Sequence, residues 1–223
     1  FYAIPVGRHL ELTASIDIPP GVTRPHNVRG FRYPVYWPLD SIPTQLQEAI
    51  VAKEDQRFHD HIGIDAIGIA RAVADNIGYY LFGSSRSGGS TITQQLARNV
   101  FLSHEPELGR KAKEWIFAVL LERHYSKQQI LEAYLNIVYF GHKVYGVEAA
   151  SRFYFGRSLK QLALYEHTAL AGMLTAPSYI NPRKDWPRTR REARGVLNRM
   201  KAQGYITETE LSLIHISEPT RLA

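Results

Sequence analysis

The stretch RKAKEWIFAVLLERHYSKQQILEAYLNIVYFG, from Arg110 to Gly141, predicts two consecutive helices. Between Trp115 and Leu121 the sequence is apolar nearly all round, which is typical of a helix at the centre of a core. Ser126 and Gln129 form a capping box, at which the second helix begins. That helix is expected to turn five side chains inward: Ile130, Leu131, Tyr134, Leu135 and Val138. We therefore expect this part of the chain to be helical.

Upstream, two more helical patterns flank a segment rich in titratable side chains. Apolar residues at helical spacing between Ile42 and Ala52 predict a helix that delivers Glu54 at its end. The segment AKEDQRFHDHIGID, Ala52–Asp65, then carries four acids and two histidines. Gly63 interrupts the chain, and a helix over Ile64–Ile77 is expected to follow. Its predicted inner face consists of Ile67, Ala70, Val73, Ala74 and Ile77.

A second polar cluster is expected where the next helix begins. The glycine-serine stretch Gly78–Gly89 is predicted to be a loop, either one that approaches a ligand or bilayer or a plain surface linker. Thr91 and Gln94 form a capping box, and the helix is expected to bury Ile92, Leu96 and Val100. Its other face carries Gln94, Gln95, Arg98 and Asn99. These donors suit phosphate oxygens or sugar hydroxyls, although a solvated face has the same composition.

The C-terminal half continues the helical pattern. Helices are predicted over Val147–Tyr154 and from Ser158 to Leu174, and a basic helix follows the loop Ser178–Pro187. Between Arg188 and Lys201 this helix has six cationic residues against one acid. Such a face suits an anionic partner, namely phospholipid, pyrophosphate or nucleic acid, or it is simply solvated.

Composition narrows the classes of protein further. The 223 residues are 44% hydrophobic and 22% charged, as in an ordinary globular domain. The absence of cysteine excludes disulfides, zinc-thiolate sites and thiol catalysis. No run approaches the roughly 20 apolar residues that span a membrane, so we expect either a soluble protein or an anchor upstream of this chain.

Glu54 and Asp55 lie where a half-apolar helix reaches the surface. Such a position can raise the pKa of a carboxyl group into the working range of a general base, but structural ion pairs cluster charge in the same way. Lys111 and Glu114 are three residues apart and form either an intrahelical ion pair or part of a site that faces Glu54.

Four stretches, in order, resemble the peptidoglycan glycosyltransferases, the family 51 transglycosylases of class A penicillin-binding proteins and their monofunctional relatives. They are EDQRFHDHIGID, GGSTITQQLARN, RKAKE and KQQILEAYLNIVYFG. The resemblance implies a mainly α, lysozyme-like helical lobe with a small membrane-associating jaw subdomain. It implies a glycosyltransferase domain over 39–210, truncated at its C-terminal end. The preceding residues 1–38 are rich in proline, glycine and β-branched or aromatic residues, which predicts a short irregular or β lead-in. Residues 211–223 resemble a translated sequencing adapter and are predicted to be a non-native tail.

The resemblance also implies an activity and a set of site residues. The expected reaction polymerises lipid II into β-1,4-linked glycan strands, by inverting transfer from a lipid pyrophosphate donor to the 4-hydroxyl of the acceptor. The implied catalytic residues are Glu54, as the base, and Glu114. The implied substrate-binding residues are Asp55, His61, Ser90, Thr91, Gln94, Gln95, Arg98, Asn99, Arg110, Lys111, Glu132 and Asn136. Two positions depart from the family pattern: Arg98 stands where many members have lysine, and Pro106, before the RKAKE motif, stands where we expect a basic residue.

The implied surroundings are those of the bacterial cell wall. The expected location is the extracytoplasmic face of the cytoplasmic membrane, with the anchor missing from this chain. Lipid II, the nascent glycan strand, the outer surface of that membrane and other cell-wall synthesis proteins are the expected partners, and nucleic acid is not. No cofactor is required and no metal ligands are assigned, although a divalent Mg²⁺ or Mn²⁺ at the donor pyrophosphate is compatible with the chemistry. The alternatives are a lysozyme-like hydrolase or lytic transglycosylase and, on the basic helix alone, a non-catalytic binding module.

Overall fold

The computed structural model describes residues 36–82, 88–102 and 107–217. The predicted lead-in up to residue 35 and residues 83–87 of the glycine-serine loop lie outside the described residues. Within them, the helices are α1 (Thr44–Glu54), α2 (Ala66–Phe82), α3 (Ile92–Phe101), α4 (Glu107–His124), α5 (Lys127–Ile137), α6 (Val147–Phe155), α7 (Leu164–Met173), α8 (Trp186–Ala202) and α9 (Glu208–Ser217). Single 3₁₀ turns occupy Leu39–Ser41 and Leu159–Gln161.

The described part of the chain is helical and has no β-strand; its β pairing consists of one isolated bridge between Tyr139 and Tyr145. This confirms the predicted mainly helical fold. The capping predictions at α3 and α5 are also confirmed, because the Thr91 and Ser126 side chains accept from the backbone N–H groups of Gln94 and Gln129. The chain around residues 78–82 is different from the prediction, since α2 continues through Phe82 where a loop was expected.

The central helix is α7. Every residue from Tyr165 to Met173 is buried, and α1 and α8 pack against it. Small side chains allow this close approach: a Cβ added to Gly172 would lie 2.9 Å from the Cβ of Glu192 and 3.1 Å from its carbonyl carbon. α5 adds its predicted inward face to the same core, and all five of those side chains are buried.

The expectation that the apolar part of α4 lies at the centre of the core is wrong. Only Ala118 and Leu121 are buried between Trp115 and Leu121, whereas the Ile116 side chain is 60% exposed. The predicted inner face of α2 is wrong for Ile67, Ala70, Val73 and Ala74, which are all exposed, whereas Ala72 is buried. The side chain of Ile77, the fifth member of that face, lies outside the described residues. Both errors have one physical cause. An apolar helix surface is expected to be buried away from water, but the sequence does not say whether the protein core or another apolar partner buries it.

The loop between α1 and α2 is pressed against α4. Gly63 has φ +90°, and a Cβ there would lie 2.8 Å from the backbone carbonyl of Ala118. Only glycine combines this backbone conformation with such an approach at low cost. The loop that carries the titratable segment is therefore held at a fixed distance from the helix that carries Lys111.

The predicted non-native tail contributes to α9, which runs to Ser217, and Leu211 at its start is buried in the core cluster. A local cap opens this helix, because Thr207 and Glu210 exchange backbone and side-chain hydrogen bonds. The division of the chain into lead-in, domain and tail stays a prediction.

Candidate active site

Glu54 is the last residue of α1, and α8 fixes the end of that helix. The Arg199 guanidinium donates to the carbonyl oxygen of Lys53 at 3.2 Å, and the Gln203 amide donates to that of Ala52 at 3.4 Å. These carbonyls are among those that the end of a helix leaves without intrahelical partners. α8 therefore caps α1 at the turn that carries Glu54.

The carboxylate of Glu54 is bonded to α3 and, through α3, to α5. Its Oε2 accepts from Nε2 of Gln95 at 2.8 Å, and Oε1 of Gln95 accepts from the Tyr134 hydroxyl at 3.0 Å. Glu54 and Gln95 are half-buried, whereas Tyr134 is fully buried. The structure thus brings the predicted base together with Gln95, which was expected to bind substrate.

Asp55 joins α1 to α3. Its buried carboxylate lies 3.0 Å from Nε2 of His61, and Oδ2 accepts from the backbone N–H of Ile92 at 2.9 Å. The backbone N–H of Gly63 donates to Nδ1 of His61 at 3.1 Å, which leaves the ring proton on Nε2, facing Asp55. The Asp55 carboxylate lies at the N-terminus of α3 and therefore also interacts favourably with the dipole of that helix.

Thr91 completes this junction. Its hydroxyl donates to the carbonyl oxygen of Gly63 at 2.7 Å and accepts from the backbone N–H of Gln94 at 3.1 Å. The polar groups of three side chains, Asp55, His61 and Thr91, therefore hydrogen bond to one another or to the backbone. These bonds fix the positions of α1, α3 and the loop between α1 and α2 relative to one another.

A cationic cluster lies on the other side of the start of α3. Nζ of Lys111 is 2.8 Å from the Ser90 hydroxyl, 3.3 Å from Oε1 of Gln94 and 3.0 Å from Oε2 of Glu114. Nε of Arg110 lies 3.3 Å from the other carboxylate oxygen of Glu114. The buried Glu114 thus holds two cations whose side chains reach solvent, and the intrahelical ion pair is present.

The two clusters meet on α3, because Gln94 contacts the Lys111 cluster and its neighbour Gln95 contacts Glu54. Nε2 of Gln94 is buried without a hydrogen-bond partner among the described residues. One turn further on, Arg98 is half-buried and Asn99 is exposed. The predicted donor face of α3 is therefore divided, with two residues bound into the site and two at its surface.

Glu132 and Asn136 bind the segment that precedes α1. The Glu132 carboxylate accepts from the Tyr36 hydroxyl and, at 2.6 Å, from the backbone N–H of Leu39. The Asn136 side chain makes two 2.9 Å hydrogen bonds with the backbone of Trp37. Their described contacts position the chain, and direct binding of substrate by them stays a prediction.

The surroundings of Glu54 act on the pKa of its carboxyl group in opposite directions. Burial raises the pKa of its carboxyl above the ordinary value, and the charge of Asp55 adds to the rise. The hydrogen bond from Gln95 and the charges of Lys53 and Arg199 oppose it. A carboxylate whose pKa lies above its usual range is better suited to accept a proton.

The cationic cluster does not fit a metal site. Both carboxylate oxygens of Glu114 face cationic side chains, and no group of three or more histidine, aspartate or glutamate side chains able to hold a metal occurs in the described part of the chain. Anionic ligands suit this donor set better than a metal ion.

Two residues of the site were missed by sequence reasoning. Tyr134 was expected only to fill the core, and Arg199 belonged to a basic face that was expected either to suit an anionic partner or to be solvated. A tyrosine within an inward face is itself a signal, because its buried hydroxyl needs a hydrogen-bond partner. The spacing of residues gives no comparable signal for Arg199.

An apolar surface borders the cationic cluster. A pocket of about 240 Å³ is lined by Ile69, Ala72, Val73, Gly89, Ser90, Lys111 and Trp115. Large apolar side chains stand exposed on α2, on α4 and on the loop between α1 and α2: Ile62, Ile67, Val73, Trp115, Ile116 and Leu120. No helix of the described residues is long and apolar enough to cross a membrane.

Comparisons with known proteins agree on one family. A family model described as "Transglycosylase" matches residues 27–201. The chain is 48% identical over 174 residues to penicillin-binding protein 1F of Bacillus subtilis, and the matched region covers 77% of this chain and 24% of that protein. It is 46% identical over 172 residues to penicillin-binding protein 1A of Vibrio cholerae, over 77% of this chain and 20% of that protein.

A solved structure agrees with the sequence relatives. The crystal structure of penicillin-binding protein 1A from Haemophilus influenzae matches with a TM-score of 0.52 at 25% identity, over 86% of this chain and 18% of that chain. The chain spans about a quarter or less of the length of these relatives.

The raised pKa of Glu54 predicts a stability cost. Above the folded pKa, the ionised carboxyl destabilises the folded chain; the cost disappears as the pH falls toward the ordinary value of 4.5. We expect Glu54→Gln to raise the melting temperature at pH 8 by about 2–4 °C, with a smaller gain toward pH 4.5. Thermal unfolding of both chains across this range measures the effect. Asp60→Asn, at an exposed acid of the same segment, is the control, and a gain independent of pH would contradict the prediction.

Proposed function

This chain belongs to the transglycosylase family that includes the glycosyltransferase domain of class A penicillin-binding proteins, and we propose that it polymerises lipid II into glycan strands. One observation carries the proposal. Neighbouring residues of α3, Gln94 and Gln95, contact a cationic cluster on one side and a half-buried carboxylate on the other. Transfer from a sugar pyrophosphate needs both, namely a base for the acceptor and positive charge for the leaving group.

In the proposed reaction, the 4-hydroxyl oxygen of the acceptor attacks the anomeric carbon of the donor sugar. The bond between that carbon and the pyrophosphate oxygen breaks as the new glycosidic bond forms, with inversion. The hydroxyl proton passes to the Glu54 carboxylate, and the lipid pyrophosphate leaves with the bonding electrons. Glu54 then releases the proton to water, which restores the base.

The leaving group needs cations, and Lys111 and Arg110 supply them. Glu114 holds both cations through its two carboxylate oxygens, so that their charges are in place before substrate arrives. Preorganised charge avoids the cost of reorganisation in the transition state. The proposed role of Glu114 is therefore to position the cations. The Ser90 hydroxyl, beside Nζ of Lys111, is placed to share a phosphate oxygen.

The apolar pocket suits the lipid part of the substrate. Lys111 and Ser90, which lie 2.8 Å apart, line it together with the apolar side chains of Ile69, Val73 and Trp115. A pyrophosphate at Lys111 would thus have apolar protein surface next to it for the attached hydrocarbon chain. This continuity of charge and apolar surface supports a lipid-linked donor.

The exposed apolar face of α2 and α4 supports the predicted membrane-associating jaw. Soluble monomers rarely expose large contiguous apolar patches, and such patches mark protein or membrane contacts. We place the chain at the outer surface of the bacterial cytoplasmic membrane, where lipid II is the substrate and the glycan strand the product. Association with other cell-wall synthesis proteins stays a prediction.

The lytic alternative is not favoured. A hydrolase that cleaves finished glycan has a sugar leaving group and no need for two cations held on a buried glutamate. A divalent ion at the donor pyrophosphate stays a prediction, and no step of the proposed mechanism uses one.

Polymerisation from labelled lipid II tests the proposal directly. We expect the wild-type chain to form long glycan strands, and Glu54→Gln to lose at least about 100-fold in rate because the base is removed. Binding of lipid II, measured separately, should be largely retained. Polymerisation by Glu54→Gln at the wild-type rate would show that another group takes the proton. Release of fragments from finished cell wall, without polymer from lipid II, would favour the lytic enzyme.

Removing one cation should affect both binding and rate. For Lys111→Ala we expect kcat/KM for lipid II to fall about 100-fold, with a higher KM, because Nζ binds the pyrophosphate in the ground state and stabilises it as it leaves. Lys113→Ala removes an exposed charge two residues away and is the matched control. An unchanged dependence of rate on lipid II concentration in Lys111→Ala would contradict the pyrophosphate assignment.

A charge on the apolar face should weaken binding to membranes. We expect Ile116→Glu to reduce binding to uncharged, zwitterionic vesicles by about tenfold or more, because an exposed isoleucine no longer enters the bilayer. Tyr179→Glu, at a comparably exposed side chain before α8, is the control, and sedimentation with vesicles is the measurement. Equal loss in both variants, or none in either, would contradict the assignment of this face.

A further inference from the structure

We infer that Tyr134 is a positioning residue that orients the Gln95 amide toward Glu54 and thereby holds the base in its ionised form. The kinetic consequence rests on the proposed function, whereas the effect on the titration of Glu54 does not. A continuous path of hydrogen bonds runs from Tyr134 through Gln95 to Glu54.

Tyr134 lies within the core, and its hydroxyl is committed to one partner. The residue is fully buried, and among the described residues its hydroxyl hydrogen bonds only to Oε1 of Gln95. A buried hydroxyl without a partner is costly, so this hydrogen bond is strongly favoured. The position of the tyrosine on α5 is itself fixed by the buried side chains around it.

A glutamine amide has one accepting end and one donating end. Because the Tyr134 hydroxyl donates to Oε1, the NH₂ group of Gln95 must point the other way, toward Oε2 of Glu54. An NH₂ group can only donate, so it stabilises the ionised carboxylate more than the protonated acid. Tyr134 thus acts on a carboxylate that it does not touch.

The reversed amide shows what the tyrosine prevents. With the amide rotated by half a turn, Oε1 would face Glu54, and this arrangement is favourable only if the acid is protonated. Nε2 would then donate to the Tyr134 oxygen, and the hydroxyl proton would have no acceptor among the described residues. The protonated state of Glu54 is therefore penalised through the tyrosine.

Other charged groups face Glu54 but do not orient the amide. Lys53 on α1 and Arg199 on α8 favour its ionised form, and Asp55 opposes it. Arg98 on α3 acts on Tyr134. The described hydrogen bonds of the Gln95 side chain are those to Glu54 and Tyr134, so the orientation of the amide depends on the tyrosine.

The consequence for the reaction is recovery of the base. After Glu54 accepts the proton of the acceptor hydroxyl, the fixed NH₂ group opposes the protonated acid and favours loss of the proton. Each cycle of polymerisation therefore ends with a carboxylate ready for the next acceptor.

Tyr134→Phe removes the hydroxyl and keeps the ring. The pKa of Glu54 is measured from the ¹³C shift of its side-chain carboxyl, with Glu54→Gln used to assign the signal. We expect the pKa to rise by about 0.5 to 1 unit, the equivalent of one lost hydrogen bond. Tyr154→Phe is the matched control, because it removes a buried hydroxyl that donates to the Phe140 carbonyl, away from Glu54. It should leave this pKa unchanged.

A second variant distinguishes an effect through the Gln95 amide from a general disturbance of the fold. Gln95→Met removes both hydrogen bonds at similar volume and should raise the pKa of Glu54 at least as far as Tyr134→Phe does. In the double variant, Tyr134→Phe should add no further rise, because the tyrosine acts only through the amide. An additive rise, or an unchanged pKa in Tyr134→Phe, would overturn the inference.

Kinetics separate this inference from the proposed function. On the acidic side of the pH profile for polymerisation, we expect kcat/KM of Tyr134→Phe to fall about threefold to tenfold, with KM unchanged and a near wild-type rate at high pH. An unshifted profile in an active Tyr134→Phe chain would overturn the inference and leave the polymerase assignment intact. A wild-type chain that makes no polymer would refute the proposed function, and the ¹³C titration would still decide the role of Tyr134.

Discussion

The rest of the site depends on the buried carboxylate of Asp55. It faces Nε2 of His61 and the backbone N–H of Ile92, so that one side chain ties the end of α1 to the following loop and to the start of α3. Glu54 is its neighbour in the chain, and the two glutamines of the site lie just inside α3. The distance between the proposed base and the phosphate-directed cluster is therefore set by a contact that does not itself take part in the reaction.

How far the sequence predicted the fold depended on the range of the interactions involved. Capping at Thr91 and Ser126 was predicted correctly, because each cap is made within four residues. The central helix was assigned to α4 instead of α7, because an apolar surface is compatible with a protein core and with lipid alike. The small residues of α7, including Gly172, are a weaker hydrophobic signal, although they allow α8 to approach α7 closely.

The same limit applies to the candidate site. The Lys111–Glu114 pair could be predicted because the two residues are one helical turn apart. The partners of Gln95 could not, since Glu54 and Tyr134 lie 41 and 39 residues away in the chain. The face of the basic helix α8 was expected either to suit an anionic partner or to be solvated. Long-range pairing gives one of its cations, Arg199, a further role, because Arg199 caps the helix that carries the base.

The exposed apolar face of α2 and α4 has a consequence for the evolution of this domain. A side chain in a packed core is constrained in shape as well as in hydropathy, because neighbouring atoms surround it. A side chain that meets fluid lipid, as we propose for this face, is constrained in hydropathy alone. We therefore expect positions such as Ile67 and Ile116 to exchange freely among large apolar residues in homologous chains, while Gly172 and the site residues stay fixed. On this face, the identity of the residues would change faster than their hydropathy, which is the property under selection.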